Sequence, residues 1–284
     1  MSDNSNLFDI DVPSQWCPGC PNFTILETLK KSFTALGLKP QDICLVSGIG
    51  QAAKLPHYIK CNFFNGLHGR ALPVATGVAA ANPMLKTVVT TGDGDCYGEG
   101  GNHFLHAMRR NPDITLIVHN NEIYALTKGQ ASPTTRSGEV RALNPQGTTA
   151  PPFNPLAAAI ISGCTFVARG FTGDSAQLAE LFQAALTHEG LSLVDVVQPC
   201  ITWKPHPLQW YKDRAKRLPD DHDPQDRASA LAMAMEMEET FYTGLYYRAD
   251  PSPAFAGSCH EQRAYLPMAE QQGLSLEKTR ALLQ

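Results

Sequence analysis

Acidic and amide side chains follow two stretches that have the pattern of neighbouring buried strands. Gly92-Asp93-Gly94-Asp95 comes directly after a β-branched stretch at 86–91, and Asn120-Asn121 ends an apolar stretch at 114–119. One helical stretch separates them, so both motifs should emerge at the same edge of a parallel sheet. Asp93, Asn121 and the carbonyl of Ile123 offer the oxygen ligands that Mg²⁺ takes alongside water and phosphate. The spacing therefore predicts a magnesium site beside a bound phosphate; the alternative is a tight turn and an ordinary loop.

Cysteines supply a second possible site. The chain has eight of them, and only Cys17 and Cys20 form a tight pair. So few cysteines in 284 residues do not make a disulfide framework. A lone Cys-x-x-Cys pair is compatible with zinc, with redox chemistry or with an iron–sulfur cluster, which usually takes four thiolates. The pair alone leaves these three possibilities open.

The elements that would position these motifs alternate along the chain. Apolar or β-branched stretches typical of buried strands alternate with stretches whose apolar residues recur at helical spacing. This pattern predicts an α/β fold, a mostly parallel sheet with helices on both faces, whose ligands bind beyond the carboxyl ends of the strands. The predicted strands are 43–47, 86–91, 114–119, 165–171 and 191–197, and the predicted helices are 23–36, 70–81, 101–110, 154–162 and 176–188.

Three segments differ in composition. We predict an N-terminal arm at 1–22 that carries the cysteine pair, the α/β domain at 23–202, and an extended C-terminal tail at 203–284, packed on the domain or on a partner. The stretch 126–153 has little periodicity, and so long a loop inside a compact domain is often functional. Within the tail, an arm rich in Pro, Asp and aromatic residues is predicted at 203–225, and weaker helices near 226–239, 260–272 and 275–283.

Composition limits the classes of function. Hydrophobic residues make up 43% of the chain and charged residues only 18%, with a net charge of −4. The acidic balance argues against nucleic-acid binding. No apolar run is long enough to span a membrane, and the N-terminus has no signal-peptide pattern, so we expect a cytoplasmic protein. The low charge content indicates that part of the surface is buried against a partner.

Long strings of this sequence resemble one enzyme family. They are WCPGCPNF, VSGIG, GLHGRALPVATG, GDGDCYGEGGNHFLHAMRRNPDITLIVHNNEIYALTKGQASPT and QPC, in that order. The sequence resembles the thiamine-diphosphate-binding β subunits of 2-oxoacid:ferredoxin oxidoreductases from about residue 16 to residue 200. The resemblance implies the diphosphate-binding half of the thiamine-diphosphate fold.

The resemblance also implies a role for each matching residue. Asp93, Asn121 and the carbonyl of Ile123 would hold the Mg²⁺ that bridges to thiamine diphosphate. Lys128 and His68 would be catalytic, although a solvated lysine and a hydrogen-bonded loop histidine are the alternatives. The cofactor would be contacted by Ile49, Gly50, Gln51, His68, Gly69, Arg70, Gly94, Asp95, Leu126 and Thr127.

A [4Fe–4S] cluster is implied as well, with Cys17, Cys20 and Cys200 among its ligands. The family usually has a further cysteine directly after the GIG string, where this sequence has Gln51. We predict that Cys61, in a polar loop, is the fourth ligand. The alternatives are Cys44, in an apolar strand, or a ligand that is not a thiolate. The three other cysteines, Cys96, Cys164 and Cys259, are predicted to be structural.

The family's chemistry is the coenzyme A-dependent oxidative decarboxylation of a 2-oxoacid. Electrons pass singly from the cofactor through the cluster to ferredoxin, and the reverse reaction fixes CO₂; the cofactors carry this chemistry and the protein positions them. The stretch YGEGGNHFLHAMRRN is more similar to the 2-oxoglutarate enzymes than to the pyruvate enzymes. We therefore predict 2-oxoglutarate as the substrate, with pyruvate as the alternative.

An α subunit is the predicted partner. Thiamine-diphosphate enzymes need a second surface that binds the aminopyrimidine, and 284 residues leave little room for another α/β domain. We expect an αβ heterodimer, doubled to (αβ)₂, with the cofactor at the contact between the subunits. A self-sufficient homodimer, in which each chain completes the other's site, is the alternative.

Two interpretations come from other classes of protein. One is a dinucleotide-binding unit, because the looser dinucleotide fingerprint fits the string Gly48-Ile49-Gly50-Gln51-Ala52-Ala53. A nicotinamide-binding unit would need an acidic residue at a strand end about 20 residues later. At that distance this sequence has a loop that carries His68. A zinc-binding scaffold would use Cys17 and Cys20 but would leave Asp93 and Asn121 unexplained. Metal analysis with a visible absorption spectrum separates these classes.

Overall fold

An eight-stranded sheet forms the centre of the computed structural model, which describes residues 7–141, 143–203, 206–236 and 240–250. Its strands are β1 (Ile43–Ser47), β2 (Asn62–Asn65), β3 (Lys86–Gly92), β4 (Ile114–Asn120), β7 (Phe166–Phe171), β8 (Leu191–Val197), β9 (Ala215–Arg217) and β10 (Phe241–Arg248). The order across the sheet is β2-β1-β3-β4-β8-β7-β10-β9, and the first six strands of that order are mutually parallel. A separate antiparallel ribbon joins β5 (Ile123–Tyr124) to β6 (Gln130–Ala131).

Helices cover both faces of this sheet. They are α1 (Asn22–Ala35), α2 (Ala71–Ala81), α3 (Gly101–Arg110), α4 (Pro155–Ser162), α5 (Ser175–Thr187), α6 (Leu208–Arg214) and α7 (Arg227–Met235). On one face, α1 and α5 pack through residues such as Phe33 and Phe182. On the other face, α2, α3, α4 and α7 pack through residues such as Phe104 and Ile160. The central strands are buried throughout because both of their faces are covered, as is usual for parallel sheets.

Local sequence explains where several helices begin and end. The side chain of Asn154 accepts a hydrogen bond from the backbone N–H of Ala157, and Pro155 occupies the first turn of α4. Asp174 caps α5 in the same way. Gly37 follows α1 with a φ of 69°, the left-handed conformation that closes helices at this position.

The predicted α/β fold is confirmed. All five predicted strands and all five predicted helices of the α/β domain are present, each to within one residue at either end. The sequence pattern missed β2, which has only four residues and is exposed along its whole length at the edge of the sheet. A strand with no buried face gives no alternation to detect.

The segment after residue 203 contributes to the sheet as well as packing on it. The stretch 203–225, predicted as an extended arm, contains α6 and β9, and the helix predicted near 226–239 is α7. β10 runs antiparallel beside β7, and a register shift between Leu245 and Tyr247 breaks its alternation, which hides the strand in the sequence. The helices predicted at 260–272 and 275–283, and Cys259, lie outside the described residues.

The sheet has a point at which the chain reverses direction across it. β1 lies between β2 on one side and β3 on the other, so the connections leave β1 in opposite directions. A crevice forms at such a point outside the carboxyl ends of the strands, and ligands of open α/β sheets bind there. Among the described residues, no helix combines the length and the apolar character needed to cross a membrane.

Candidate functional site

The segments that follow β1, β3 and β4 line one cavity of about 120 Å³ at the carboxyl edge of the sheet. The strands are neighbours in parallel register, so their ends bring distant parts of the sequence together. The cavity contains most of the predicted cofactor contacts and all three predicted magnesium ligands: Ile49, Gly50, Gln51, His68, Gly94, Asp95, Leu126 and Thr127, with Asp93, Asn121 and Ile123.

Three other predicted residues do not line this cavity. Gly69 instead donates its backbone N–H to Asp95, at 2.7 Å. Arg70 is exposed at the start of α2, with its guanidinium 3.4 Å from the carbonyl of Glu99. Lys128 is exposed in the turn between β5 and β6, with a left-handed φ of 80°. In this chain, Arg70 and Lys128 are therefore available to a partner or substrate but are not cavity walls.

Asp93 is held firmly at the floor of the cavity. The hydroxyls of Ser132 and Thr134 donate to its Oδ2, at 2.5 and 2.7 Å, and the backbone N–H of Asn121 also bonds to the carboxylate. Burial raises the pKa of Asp93 to about 6, although these hydrogen bonds oppose the shift. The structure thus brings Asp93 and Asn121 together at the strand ends, and a cation beside Asp93 would favour its charged form.

A buried polar network lies directly behind Asp93. Asp195, fully buried on β8, accepts hydrogen bonds from Tyr97 at 2.8 Å, from Asn120 at 3.1 Å and from Arg169 at 3.1 Å. The amide oxygen of Asn120 lies 3.0 Å from the hydroxyl of Thr134. Burial alone would lower the pKa of Arg169, but the charge of Asp195 raises it, so the guanidinium stays charged. The network therefore lies against Thr134, whose single hydroxyl proton can be accepted by either Asp93 or Asn120.

Asp95 ties together the loops that form the cavity wall. Its carboxylate accepts from Thr91 at 2.5 Å and lies 2.6 Å from Nδ1 of His68. A Cβ at Gly48 would stand 1.9 Å from the carboxylate, so only glycine fits there. At least part of the role of Asp95 is therefore structural, since it joins the loop after β1 to the loop that carries His68.

A group of three cysteines lies beside the cavity that contains the predicted cofactor contacts, called the cofactor cavity below. Cys17, Cys20 and Cys200 line a smaller cavity of about 50 Å³, whose walls also include Gln51, Asn121, Ala125 and Gln198. Those last four residues line the larger cavity too. Burial, with smaller contributions from the two other thiols, raises the pKa of Cys20 to about 11. The N-terminal arm and the segment after β8 thus meet against the cofactor cavity.

The prediction that Cys61 joins these three cysteines is not supported by the structure. Cys61 precedes β2, and Cys44 lies near the start of β1, so both stand at the amino edge of the parallel strands, away from the carboxyl edge. Burial raises the pKa of Cys61 to about 12, and its thiol interacts with the backbone N–H of Leu45 and with Cys44. Cys61 is far from the other three cysteines because the strands are parallel. This direction places residue 61 at the amino edge of the sheet and residue 51 at the carboxyl edge.

Three buried polar atoms around these cavities have no hydrogen-bond partner among the described residues. Oε1 of Gln51 and Oε1 of Gln198 belong to the wall between the two cavities, and Nε2 of His119 belongs to the larger cavity. The other ring nitrogen of His119 lies 2.9 Å from the side-chain oxygen of Asn22, and burial lowers the pKa of His119 to about 3. His119 is therefore neutral at physiological pH. Buried polar groups are normally hydrogen-bonded, so this wall has the composition of a surface that faces a ligand.

Sequence reasoning missed several residues of the site. Ser132 and Thr134 lie in the aperiodic stretch 126–153, whose length was the only sign of a function there. Asp195 interrupts the apolar strand LSLVDVV, and a carboxylate in the middle of a buried strand is a detectable sign of a polar network. His119 follows five apolar or small residues of β4 and looks in sequence like the strand's polar end.

The dinucleotide interpretation does not fit this geometry. The strand that follows the Gly48-Ile49-Gly50 turn is β2, and it ends at Asn65. A nicotinamide-binding unit requires Asp or Glu at that strand end to bind the ribose hydroxyls.

Comparison with known proteins identifies the family. Residues 46–196 match the family described as thiamine pyrophosphate enzyme, C-terminal TPP binding domain, and residues 200–263 match the C terminal of the pyruvate ferredoxin oxidoreductase beta subunit. The chain is 42% identical over 249 residues to subunit beta of 2-oxoacid:ferredoxin oxidoreductase 1 from Aeropyrum pernix, covering 84% of this chain and 78% of that one. It is 43% identical over 193 residues to the 2-oxoglutarate oxidoreductase subunit KorB of Mycobacterium tuberculosis, covering 68% and 52%.

A solved structure is similar over the whole chain. The 2-oxoglutarate:ferredoxin oxidoreductase from Magnetococcus marinus, with 2-oxoglutarate, coenzyme A and succinyl-CoA bound, superposes with a TM-score of 0.92 at 34% identity, covering 100% of this chain and 97% of that one. The cavity at the carboxyl edge lies within the segment that matches the thiamine-diphosphate domain. The chain therefore belongs to the β subunits of the 2-oxoacid:ferredoxin oxidoreductase family and carries their thiamine-diphosphate-binding domain.

Proposed function

We propose that this β subunit acts in the coenzyme A-dependent oxidative decarboxylation of 2-oxoglutarate to succinyl-CoA, a reversible reaction that also fixes CO₂, with ferredoxin as the electron acceptor. Relatives named as 2-oxoglutarate enzymes and the Magnetococcus structure with 2-oxoglutarate and coenzyme A support this substrate and co-substrate. The observation that carries the proposal is the wall that the cofactor cavity shares with three cysteines. The cytoplasm stays a prediction from the sequence.

The residues present fit a magnesium ion that bridges to the diphosphate. A buried carboxylate, an amide oxygen and a backbone carbonyl, from Asp93, Asn121 and Ile123, form the hard oxygen set that Mg²⁺ prefers. Ser132 and Thr134 both bond to Oδ2 of Asp93, which orients the carboxylate before any ligand binds. Thiamine diphosphate, when bound, supplies the carbanion chemistry of the decarboxylation. Asp93 and Asn121 would hold the metal, which would supply positive charge for the diphosphate.

The cysteines fit part of an iron–sulfur cluster. We assign Cys17, Cys20 and Cys200 as ligands of a [4Fe–4S] cluster, since all three face one small cavity next to the cofactor. Across the described part of the chain, no three His, Cys, Asp or Glu side chains stand close enough to hold a single metal ion. This spacing is compatible with a cluster, which is larger than an ion and keeps its thiolates further apart. The three thiols fall one short of the usual four.

The wall between the cavities separates the cofactor from the cysteines by one layer of side chains. Gln51, Asn121, Ala125 and Gln198 form that layer, and each has atoms on both sides. Single electrons therefore have a short path out of the cofactor cavity. His119 is neutral at neutral pH, and its Nδ1 faces the side-chain oxygen of Asn22. Its Nε2 is therefore free to accept a hydrogen bond from a ligand, but the ring does not carry a second proton to transfer.

A β subunit has a partner subunit, and an apolar surface beside the cofactor cavity is suited to it. Ile49, Phe63, Phe64, Leu67 and Leu126 are all exposed. Among the described strands, none pairs with the outer edge of β2, and proteins rarely leave such an edge open to water. We propose that an α subunit packs on this surface and completes the cofactor site, in an αβ or (αβ)₂ assembly. A self-sufficient homodimer remains the alternative.

The test uses the chain co-expressed with its α subunit. Reduction of a viologen dye is measured with coenzyme A and either 2-oxoglutarate or pyruvate. We expect 2-oxoglutarate to be preferred in kcat/KM by at least roughly tenfold. Pyruvate lacks the second carboxylate, so the groups that bind this carboxylate would be left without a partner. A preference for pyruvate would assign the chain to the pyruvate enzymes. Equal turnover by the β subunit alone would contradict the need for an α subunit.

A further inference from the structure

Gln51 occupies the place at which a fourth cluster ligand would stand. It is the residue that directly follows the turn after β1, and it lines the small cavity together with Cys17, Cys20 and Cys200, as well as the cofactor cavity. These four residues come from three separate parts of the chain: the N-terminal arm, the loop after β1 and the segment after β8. Among the described residues, no other cysteine lines this cavity.

The position of Gln51 is fixed and its amide oxygen is free. The indole N–H of Trp16 donates to the backbone carbonyl of Gln51, at 2.8 Å, and Trp16 is itself buried beside Cys17. Oε1 of Gln51 is buried and has no hydrogen-bond partner in the part of the chain that the structure describes. A buried amide oxygen is costly to leave without a partner, which points to a ligand at this atom.

The remaining described cysteines are committed elsewhere. Cys44 and Cys61 stand together at the amino edge of the sheet. Cys96 is buried against the core. Cys164 is fully buried, and its thiol bonds to the carbonyls of Phe166 and Leu191. None of these four lines the small cavity.

We propose that the cluster is held by three thiolates and that Oε1 of Gln51 faces the fourth iron. This inference rests on the [4Fe–4S] cluster of the proposed function. An amide oxygen is a neutral, hard donor and binds iron less strongly than the thiolates that iron–sulfur clusters use. The fourth iron is therefore more easily lost than the other three. With one negative charge fewer around it, the cluster has a higher reduction potential than it would have with four thiolates.

The loss has a defined stoichiometry. An oxidised [4Fe–4S]²⁺ cluster gives one electron to a one-electron oxidant such as ferricyanide and releases Fe²⁺. A [3Fe–4S]⁺ cluster remains, with three thiolates and all four sulfides in place. Oxidised three-iron clusters have an EPR signal, whereas [4Fe–4S]²⁺ clusters are silent, so the product is directly observable.

The experiment uses the anaerobically purified αβ enzyme. Iron and acid-labile sulfide are counted before and after stoichiometric ferricyanide, and the oxidised sample is examined by EPR. We expect the wild type to lose one iron per β chain, to keep its sulfide and to develop the three-iron signal. Gln51→Cys should keep all its iron, show no such signal and have a lower midpoint potential. Gln198→Cys is the matched control, because Gln198 lines the same cavity and also has an unpartnered Oε1.

Each other outcome overturns the inference. A wild-type cluster that keeps four irons and stays EPR-silent after ferricyanide has a strong fourth ligand, while the proposed function stands. If Cys61→Ser, Cys44→Ser or Cys259→Ser loses iron that the wild type keeps, that fourth ligand is a thiolate. If Gln198→Cys prevents the loss of iron and Gln51→Cys does not, the residue that faces the fourth iron is Gln198. Absence of iron and sulfide from the wild type would overturn both this inference and the cluster of the proposed function.

Discussion

The two ends of the site differ in how completely the protein satisfies its own polar groups. At the proposed metal end, around Asp93, both oxygens of Asp95 and the Oδ2 of Asp93 have hydrogen-bond partners, and the Asp195 network lies behind them. At the cysteine end, around Cys17, Oε1 of Gln51 and Oε1 of Gln198 are buried without a hydrogen-bond partner among the described residues. The metal end is therefore organised by the protein before any ligand binds, whereas the cysteine end depends on its ligand.

This difference indicates what each end contributes. A preorganised carboxylate binds a diphosphate–metal complex without rearrangement, and this lowers the cost of binding. A wall with unpaired polar atoms gains stability when a ligand arrives and loses it when the ligand leaves. Substitutions at the metal end should therefore change cofactor affinity, and substitutions at the cysteine end should change the properties of the cluster.

Replacement of Asp93 gives the largest expected effect. In Asp93→Ala, the buried carboxylate of the metal site is lost, and the dissociation constant of thiamine diphosphate measured by calorimetry with saturating Mg²⁺ should rise by more than roughly 100-fold. Asp113→Ala is the matched control, since its carboxylate pairs loosely with Lys86 at 3.8 Å, away from the cavity. Unchanged affinity in Asp93→Ala, with the fold intact, would remove Asp93 from the metal site.

Gly48→Ala should have the next effect, because it disturbs the loops that form the cavity wall. The added Cβ would stand 1.9 Å from Oδ2 of Asp95, so the wall must move, at a cost of about 1–3 kcal/mol in the free energy of unfolding. Gly77→Ala in α2 meets no atom within 4 Å and should stabilise the chain by about 0.5–1 kcal/mol. Denaturant melts of both variants measure the contrast; equal effects would show that Asp95 does not hold Gly48 in contact.

Thr134→Val should weaken the cofactor affinity and change its pH dependence. Loss of a hydrogen bond to a charged group costs about 1.5–3 kcal/mol in the free energy of unfolding, and a carboxylate that is less well oriented should bind the metal less tightly. In the proposed site the metal would bind ionised Asp93, so affinity should be full above the pKa of about 6 and should fall as pH decreases through it. Removal of the hydroxyl raises this pKa further, so the acid limb of the binding curve should move to higher pH. The control is Thr187→Val, on the exposed end of α5, which should leave the acid limb of the binding curve at the same pH.

Lys128→Ala should have the smallest effect on cofactor binding. Lys128 is exposed and does not line the cavity, so the affinity of thiamine diphosphate should stay within about twofold of wild type. Loss of turnover with unchanged affinity would indicate that Lys128 acts on the substrate in the assembled enzyme. Loss of affinity would show that the turn between β5 and β6 closes over the cofactor.

The sequence predicts the metal end better than the cysteine end. Asp93 and Asn121 follow strands whose apolar runs are strong, and parallel strands bring their carboxyl ends together without further information. The predicted fourth cluster ligand, Cys61, lies away from Cys17 because a four-residue exposed strand, β2, places it at the amino edge. Ser132 and Thr134 are set by a long loop whose path depends on tertiary contacts, and no periodicity encodes such a path.

The most direct test of the account asks whether the cofactor cavity and the cysteine cavity work as one unit. The αβ enzyme is mixed with 2-oxoglutarate and coenzyme A without ferredoxin, and samples are frozen at intervals for EPR. The account predicts that the signal of a reduced iron–sulfur cluster appears at the rate of CO₂ release, and that Asp93→Ala gives neither. Release of CO₂ at the normal rate, with the cluster still oxidised, would contradict it.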